Sequence, residues 1–179
     1  MTALAASERL QTAVEAGMMV AVGLALSQIK FFQLPSGGSV SLGGLPVMIF
    51  AARRGLKVGA ATGLLMGLLS LARQPFIVHP IQFLLDYPLA YAALGLAGIL
   101  EWQRPRHAVA GVVLASSACC ICHVVAGIFF FAKPADPWQA AIMASLVYNL
   151  AYTIPETFLC AGVAFALTRR YPELTRPCL

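Results

Sequence analysis

Apolar runs separated by short polar segments follow one another along the chain and predict six membrane-crossing helices. A transmembrane helix needs about 20 predominantly apolar residues. The second run is short, so it is either a tilted span or a partly re-entrant helix. The sixth run contains Pro155, which predicts a kinked or tilted helix. The predicted spans are 12–29, 42–52, 58–72, 81–100, 108–132 and 139–167.

Composition supports the membrane assignment. The 179 residues are 60% hydrophobic and 11% charged, with a mean hydropathy of +0.81, whereas soluble domains are about half apolar and a quarter charged. Six spans leave no room for a separate soluble catalytic domain. The sequence therefore predicts an all-α integral membrane protein with one six-helix domain over residues 1–179. In the third span, Gly59, Gly63 and Gly67 recur at a spacing of four, which favours close helix packing in lipid.

The basic residues predict the orientation of the bundle. The net charge of +5 could indicate a nucleic-acid partner, but these residues cluster between apolar runs, so no nucleic-acid partner is predicted. Lys30, Arg73 and Lys133 fall on one side. By the positive-inside rule, both termini of this multi-pass cell-membrane protein are predicted to be cytoplasmic. The other side carries nine basic residues: Arg9, Arg53, Arg54, Lys57, Arg104, Arg106, Arg169, Arg170 and Arg176.

Three acidic residues lie within the predicted spans, where an ionisable side chain is a functional candidate. Glu15 is predicted in the first turn of its helix, where an acid complements the helix dipole. Asp86 lies about one turn into the fourth span beside Tyr87. A carboxylate with an aromatic neighbour suits a cationic ligand. The alternative is a structural ion pair with Arg73 or Lys133.

The third acid, Glu156, continues a polar row on the sixth span. Asn149, Tyr152 and Glu156 have the i, i+3, i+7 spacing of one helix face. This face is predicted to line the bundle interior or a wet cavity, although helix–helix hydrogen bonding explains it about as well. Ligand contact is favoured for Asn149 and a structural role for Glu156.

The fifth span contains the C-x-x-C-H string of c-type haem attachment at Cys119–His123. Because the string lies inside an apolar helix, its cysteines are predicted to be packing residues, and no metal or cofactor is predicted. His123 shares a face with Gly127 and Phe131, as either a ligand contact or a satisfied core histidine. The chain lacks the P-loop pattern G-x-x-x-x-G-K-S/T and hydrolase motifs, so it is not predicted to be an enzyme.

A family resemblance runs in order along the chain from about residue 8 to 170. It rests on Leu34–Leu42, Leu45-Pro46, Arg53–Gly59, His79–Gln82, Leu85–Ala90, Gly95–Gly98, His123-x-x-x-Gly127 and Tyr148-Asn149. The strings around Asp86 and His123 are the most specific parts. In these residues the chain resembles the thiamine-specific S component of energy-coupling factor (ECF) transporters.

The resemblance implies a six-helix subunit that captures thiamine at the outer face. It also implies docking on a transmembrane coupling protein with two ABC-type ATPases, through a small-residue patch that Gly17 and Ala21 fit. Some members have Glu for Asp86, Trp for Phe131, Tyr for Phe76, Lys for Cys119 and a Trp near Gly37-Gly38. The implied substrate-binding residues are Asp86, Tyr87, His123, Gly127, Phe131, Asn149, Phe76 and Tyr148.

Other functions remain open from the sequence. Pocket substitutions can redirect specificity, so an S component for another vitamin or a thiamine precursor is the nearest alternative. Two alternatives belong to different classes of protein. One is an intramembrane redox or haem protein that uses Cys119, Cys122 and His123. The other is a self-sufficient ion-coupled transporter that uses Asp86 and Glu156.

Overall fold

The computed structural model describes residues 3–35, 37–72, 76–132 and 137–176. Within these ranges the chain forms six main helices, which confirms the predicted all-α class and helix count. A two-stranded antiparallel hairpin, β1 (Phe32–Gln33) and β2 (Ser39–Val40), lies between the first two helices. The helices are α1 (Ala3–Leu26), α2 (Leu45–Arg54), α3 (Leu56–Leu71), α4 (80–99), α5 (Pro105–Phe130) and α6 (Trp138–Arg170).

Helix length differs widely across the bundle. By length and composition, three of the described helices could cross a membrane: Ala6–Leu26 within α1, α5 and α6. Helix α3 is a shorter apolar helix of 16 residues, and α2 has 10. Helix α6 continues for 33 residues through Pro155. The short second element was therefore correctly anticipated, and it ends at Arg54, two residues later than predicted.

The predicted role of Glu15 was wrong. Because α1 begins at Ala3, Glu15 lies in the middle of the helix and cannot complement an N-terminal dipole. Its Oε2 atom instead accepts hydrogen bonds from Nε and Nη2 of Arg54 on α2, at 3.1 and 2.9 Å. Gln11 donates to Oε1 at 3.1 Å. This half-buried ion pair joins α1 to α2.

A single residue, Gly55, separates α2 from α3. Its φ of +87° lies in the left-handed region that favours glycine, and its N–H donates to the Ala51 carbonyl oxygen at 2.7 Å. The turn reverses the chain, so α2 packs against α3.

The glycine row on α3 packs as predicted. A Cβ atom on Gly63 would overlap the carbonyl oxygen of Tyr91, and one on Gly67 would overlap that of Tyr87. A Cβ on Gly59 would overlap Ala51 on α2 and come within 3.2 Å of the Gly95 Cα atom on α4. The backbones of α3 and α4 therefore touch over two turns, which is the close approach that small residues allow in membrane bundles.

Helix α4 changes geometry along its length, which the sequence prediction of a span over 81–100 did not anticipate. Pro88 lacks the N–H of a regular helical hydrogen bond, and it lies in a π-helical turn that also carries Asp86. Such turns often occur at functional sites. The segments are α-helical at Pro80–Leu84, π-helical at Leu85–Leu89, α-helical at Ala90–Ala93 and 3-10 helical at Leu94–Ile99.

The end of the bundle that holds the C-terminal part of α6 is closed by Trp102. This side chain is fully buried, and its Nε1–H donates to the Ala97 carbonyl oxygen at 3.1 Å. Thr175, just after the 3-10 turn Pro172–Leu174, donates its hydroxyl to the Trp102 carbonyl oxygen at 3.1 Å. The polar site described below lies at the opposite end.

Candidate functional site

Asp86 is held between two side chains from two helices. Its Oδ1 atom lies 2.8 Å from Nδ1 of His123 on α5, and its Oδ2 atom accepts a 2.7 Å hydrogen bond from Nε2 of Gln82, one turn earlier on α4. The side chains of Asp86 and His123 are 16% and 22% exposed, so this carboxylate is partly dry and strongly oriented.

An aromatic pair lies at the same end of the bundle. The rings of Phe76, just before α4, and Phe131, just after α5, stack at 5.8 Å between centroids with an interplanar angle of 16°. Both rings are about half exposed. The hydroxyl of Tyr87 accepts a hydrogen bond from the Phe76 N–H at 3.2 Å. Tyr87 therefore anchors the segment that presents Phe76.

A second polar cluster joins α5 to α6. Ser145 donates its hydroxyl to the Val124 carbonyl oxygen at 2.8 Å. This approach requires Gly127, because a Cβ there would overlap the Ser145 hydroxyl. Asn149 is buried and donates to the Ser145 carbonyl oxygen at 2.9 Å, while its own Oδ1 accepts from the Tyr152 hydroxyl at 2.7 Å.

The predicted row on α6 therefore faces the bundle. Asn149 and Tyr152 are joined directly, and Glu156 takes a different partner on the loop between α1 and α2. Its Oε1 accepts from both the N–H and the hydroxyl of Ser41, at 3.2 Å each. The structural role favoured for Glu156 matches these contacts.

The same loop lies over the tyrosines of α6. The Gly38 N–H donates to the hydroxyl of Tyr148 at 2.9 Å. A Cβ on Gly38 would overlap the ring of Tyr152, so the loop backbone lies directly on that ring. Tyr148 thus contacts the loop between α1 and α2.

The predicted binding residues gather at one end of the bundle, whereas the predicted coupling residues lie elsewhere. Gly17 and Ala21 are exposed on α1, and a Cβ on Gly17 would meet no atom within 4 Å. Arg73 and Lys133, the alternative partners considered for Asp86, lie outside the described residues. The predicted binding residues divide into four contacts. These are the Asp86–His123 contact, the Phe76–Phe131 stack anchored by Tyr87, the close approach of Gly127 to Ser145 and Asn149, and the contact of Tyr148 with the loop.

The C-x-x-C-H string lies within α5, as predicted. Cys120 is buried, and Cys119 and Cys122 are half-buried. Cys119 stands one helical turn before His123, whose Nδ1 lies against Asp86.

Sequence reasoning missed two residues of the site. Gln82 was noted only as part of the resemblance, although it stands at i−4 from Asp86 and is buried. Ser145 stands at i−4 from Asn149 and extends the polar row on α6 by one turn. A search for polar residues one helical turn before each candidate would have found both.

These features define a polytopic membrane protein with an oriented carboxylate, an imidazole, an amide and an aromatic pair at one end of its bundle. A sequence model of the thiamine transporter protein family (Thia_YuaJ) matches residues 13–176, and the chain belongs to this family. It is therefore a multi-pass membrane protein with a transport role and not an enzyme.

Two curated relatives and one solved structure extend the comparison. The chain is 32% identical to "Thiamine transporter ThiT" of Bacillus subtilis (strain 168), over 95% of this chain and 96% of the relative. It is 25% identical to the protein of the same name from Lacticaseibacillus paracasei, over 93% and 91% of the two chains. A solved structure of ThiT from Listeria monocytogenes superposes with a TM-score of 0.82 at 27% identity, covering 95% of this chain and 100% of the other.

Proposed function

We propose that this chain binds thiamine at the Asp86 end of its bundle and acts as the substrate-binding S component of an ECF-type vitamin importer. The observation that carries the proposal is the Asp86 carboxylate, held by His123 and Gln82 at 2.8 and 2.7 Å beside an aromatic pair. The family membership supports thiamine as the ligand. Thiamine would enter from the outer face, as the positive-inside orientation predicts.

The chemistry of thiamine matches the two polar clusters. Its thiazolium ring carries a permanent positive charge, and its aminopyrimidine ring has both hydrogen-bond donors and acceptors. Asp86 supplies the countercharge, and the rings of Phe131 and Phe76 supply aromatic faces for stacking and cation–π contact. His123 and Asn149 supply the polar contacts that orient the ligand.

The remaining proposed binding residues shape the site. Gly127 allows α5 and α6 to approach, Tyr87 holds the segment carrying Phe76, and Tyr148 holds the loop that covers the tyrosines of α6. A ligand that binds Asn149 would replace one of the hydrogen bonds that this side chain makes, either the one donated to Ser145 or the one accepted from Tyr152.

Calorimetric titration of the purified protein in detergent tests the ligand. Thiamine should bind with one site per chain, and riboflavin, which lacks a permanent cation, should give no heat of binding. Tight binding of a thiamine phosphate or of the isolated aminopyrimidine with none of thiamine would redirect the proposal to an ester or a precursor. A visible absorbance band from bound haem, with no thiamine binding, would support the redox alternative.

For transport, we propose that the chain docks on an ECF transmembrane coupling protein that carries two ABC-type ATPases. The sequence has no P-loop, so energy from ATP must come from partner chains. Gly17 and Ala21 lie one turn apart on an exposed face of α1, where a partner helix could approach closely.

Substitution of this face separates binding from transport. Gly17→Leu should abolish thiamine uptake in cells that carry the coupling module while leaving thiamine affinity unchanged. Gly162→Leu on α6 is the matched control, because a Cβ at Gly162 also meets no atom within 4 Å. Equal uptake by the two variants would remove α1 from the proposed docking surface.

A further inference from the structure

Gln82 is a fully buried polar side chain to which the proposed binding site has so far assigned no function. It is 1% exposed and lies on the first turn of α4, one turn before Asp86. An amide at this depth is costly unless its hydrogen bonds are made.

Both N–H donors of the Gln82 amide and one lone pair of its oxygen are used. Its Oε1 accepts from the Val78 N–H at 3.1 Å. Its Nε2 donates to the Phe76 carbonyl oxygen at 3.2 Å and to Asp86 Oδ2 at 2.7 Å. A rotated amide would place oxygen against two acceptors and nitrogen against a donor, so this orientation is fixed by its partners.

These three bonds connect the two parts of the proposed site. One partner is the Asp86 carboxylate, and the other two belong to the backbone of the segment whose Phe76 ring stacks on Phe131. The position of the carboxylate and that of the aromatic wall therefore both depend on one side chain.

We propose that Gln82 is a positioning residue that sets the Asp86 carboxylate and the Phe76 segment together for a cationic aromatic ligand. This inference rests on the proposed thiamine function. Gln82 need not touch the ligand. Its effect passes through the rotamer of Asp86 and the backbone of residues 76–78.

A double-mutant cycle tests the link to Asp86. Gln82→Met keeps the length of the side chain and removes all three bonds, and we expect thiamine affinity to fall by about tenfold or more, as for loss of a charge-assisted hydrogen bond. In an Asp86→Asn background, the same substitution should cost less than about threefold, because residues in one network are not additive. Equal fold-losses in both backgrounds would overturn the proposal.

A second substitution covers the case in which Gln82→Met does not fold. Gln82→Glu keeps the shape of the side chain but brings a second carboxylate against Asp86. Gln82→Glu should therefore lose at least as much affinity as Gln82→Met, although it is the closer mimic in shape. Near-wild-type affinity of Gln82→Glu would mean that Gln82 only fills space. Thr62→Val, which removes a buried hydroxyl bonded within α3, is the control and should bind normally.

A ligand-free measurement separates this inference from the thiamine proposal. Amide hydrogen exchange of residues 76–78 should be about fivefold faster or more in Gln82→Met than in the wild type, because the Val78 N–H loses its acceptor. Unchanged exchange in this segment would overturn the positioning role whether or not thiamine binds. If the wild type does not bind thiamine but exchange is faster in the variant, thiamine is wrong as the ligand and the positioning role of Gln82 stands.

Discussion

Replacement of Asp86 by Asn is the most direct perturbation of the proposed site. The substitution keeps the size of the side chain and removes its charge. The oxygen of the new amide can still accept a hydrogen bond from His123 Nδ1, which lies 2.8 Å from Asp86 Oδ1 in the wild type. The new NH2 group then faces Gln82 Nε2, which lies 2.7 Å from Oδ2 in the wild type.

The cost follows from these contacts. Two donors cannot share a 2.7 Å contact, and rotation of the Gln82 amide would place its nitrogen against the Val78 N–H. Loss of a hydrogen bond to a charged group costs about 1.5–3 kcal/mol. We therefore expect thiamine affinity to fall by at least about tenfold, which corresponds to about 1.4 kcal/mol.

Calorimetry at fixed pH and salt measures this loss. Asp86→Glu retains the charge with one more methylene and should bind more tightly than Asp86→Asn. Cys122→Ser, one residue from His123, is a control that should bind like the wild type. Affinity of Asp86→Asn within about threefold of the wild type would refute the reasoning. The Asp86 charge would then contribute no more than about 0.7 kcal/mol to thiamine binding.

Three further experiments test other contacts and the orientation of the protein. Gly127→Ala should weaken thiamine binding and lower the melting temperature in detergent, because its Cβ overlaps the Ser145 hydroxyl, and Ser145→Gly in the same chain should restore part of the loss. Gly63→Ala should destabilise the bundle by about 1–3 kcal/mol, as overpacking does, and an unchanged unfolding temperature would contradict the close contact between α3 and α4. Cysteines placed at Lys30 and Arg104 should be labelled from opposite sides of the membrane, and labelling of both from one side would contradict the six-span orientation.

The sequence identified Asp86 and His123 as candidates but could not pair them. Acids in apolar spans are conspicuous, and the aromatic neighbour of Asp86 suggested a cationic ligand. The pairing joins two helices, and its position depends on the π-helical turn at Leu85–Leu89. Hydropathy carries no information on such a change of helical geometry.

The wrong prediction for Glu15 came from a misplaced helix start. Hydropathy located the apolar part of α1 well, yet the helix extends nine residues further toward the N-terminus than the predicted start at residue 12. Residues 6–11 of this extension are exposed and include Ser7, Glu8, Arg9 and Gln11, so no continuous apolar pattern marks them. The helix start was therefore misplaced, and the ion pair with Arg54 could not be foreseen.

The glycine seam between α3 and α4 limits how the site can diverge within a family. Gly63 and Gly67 lie against the carbonyl groups of Tyr91 and Tyr87. Any other natural residue at either position adds a Cβ atom for which there is no space. These backbone contacts hold the register of α4 against α3, and with it the height of the Asp86 backbone in the bundle. The side chains that α5 and α6 contribute to the proposed site have no such backbone constraint on α3, so a change of ligand preference is accommodated more easily there than at the α3–α4 contact.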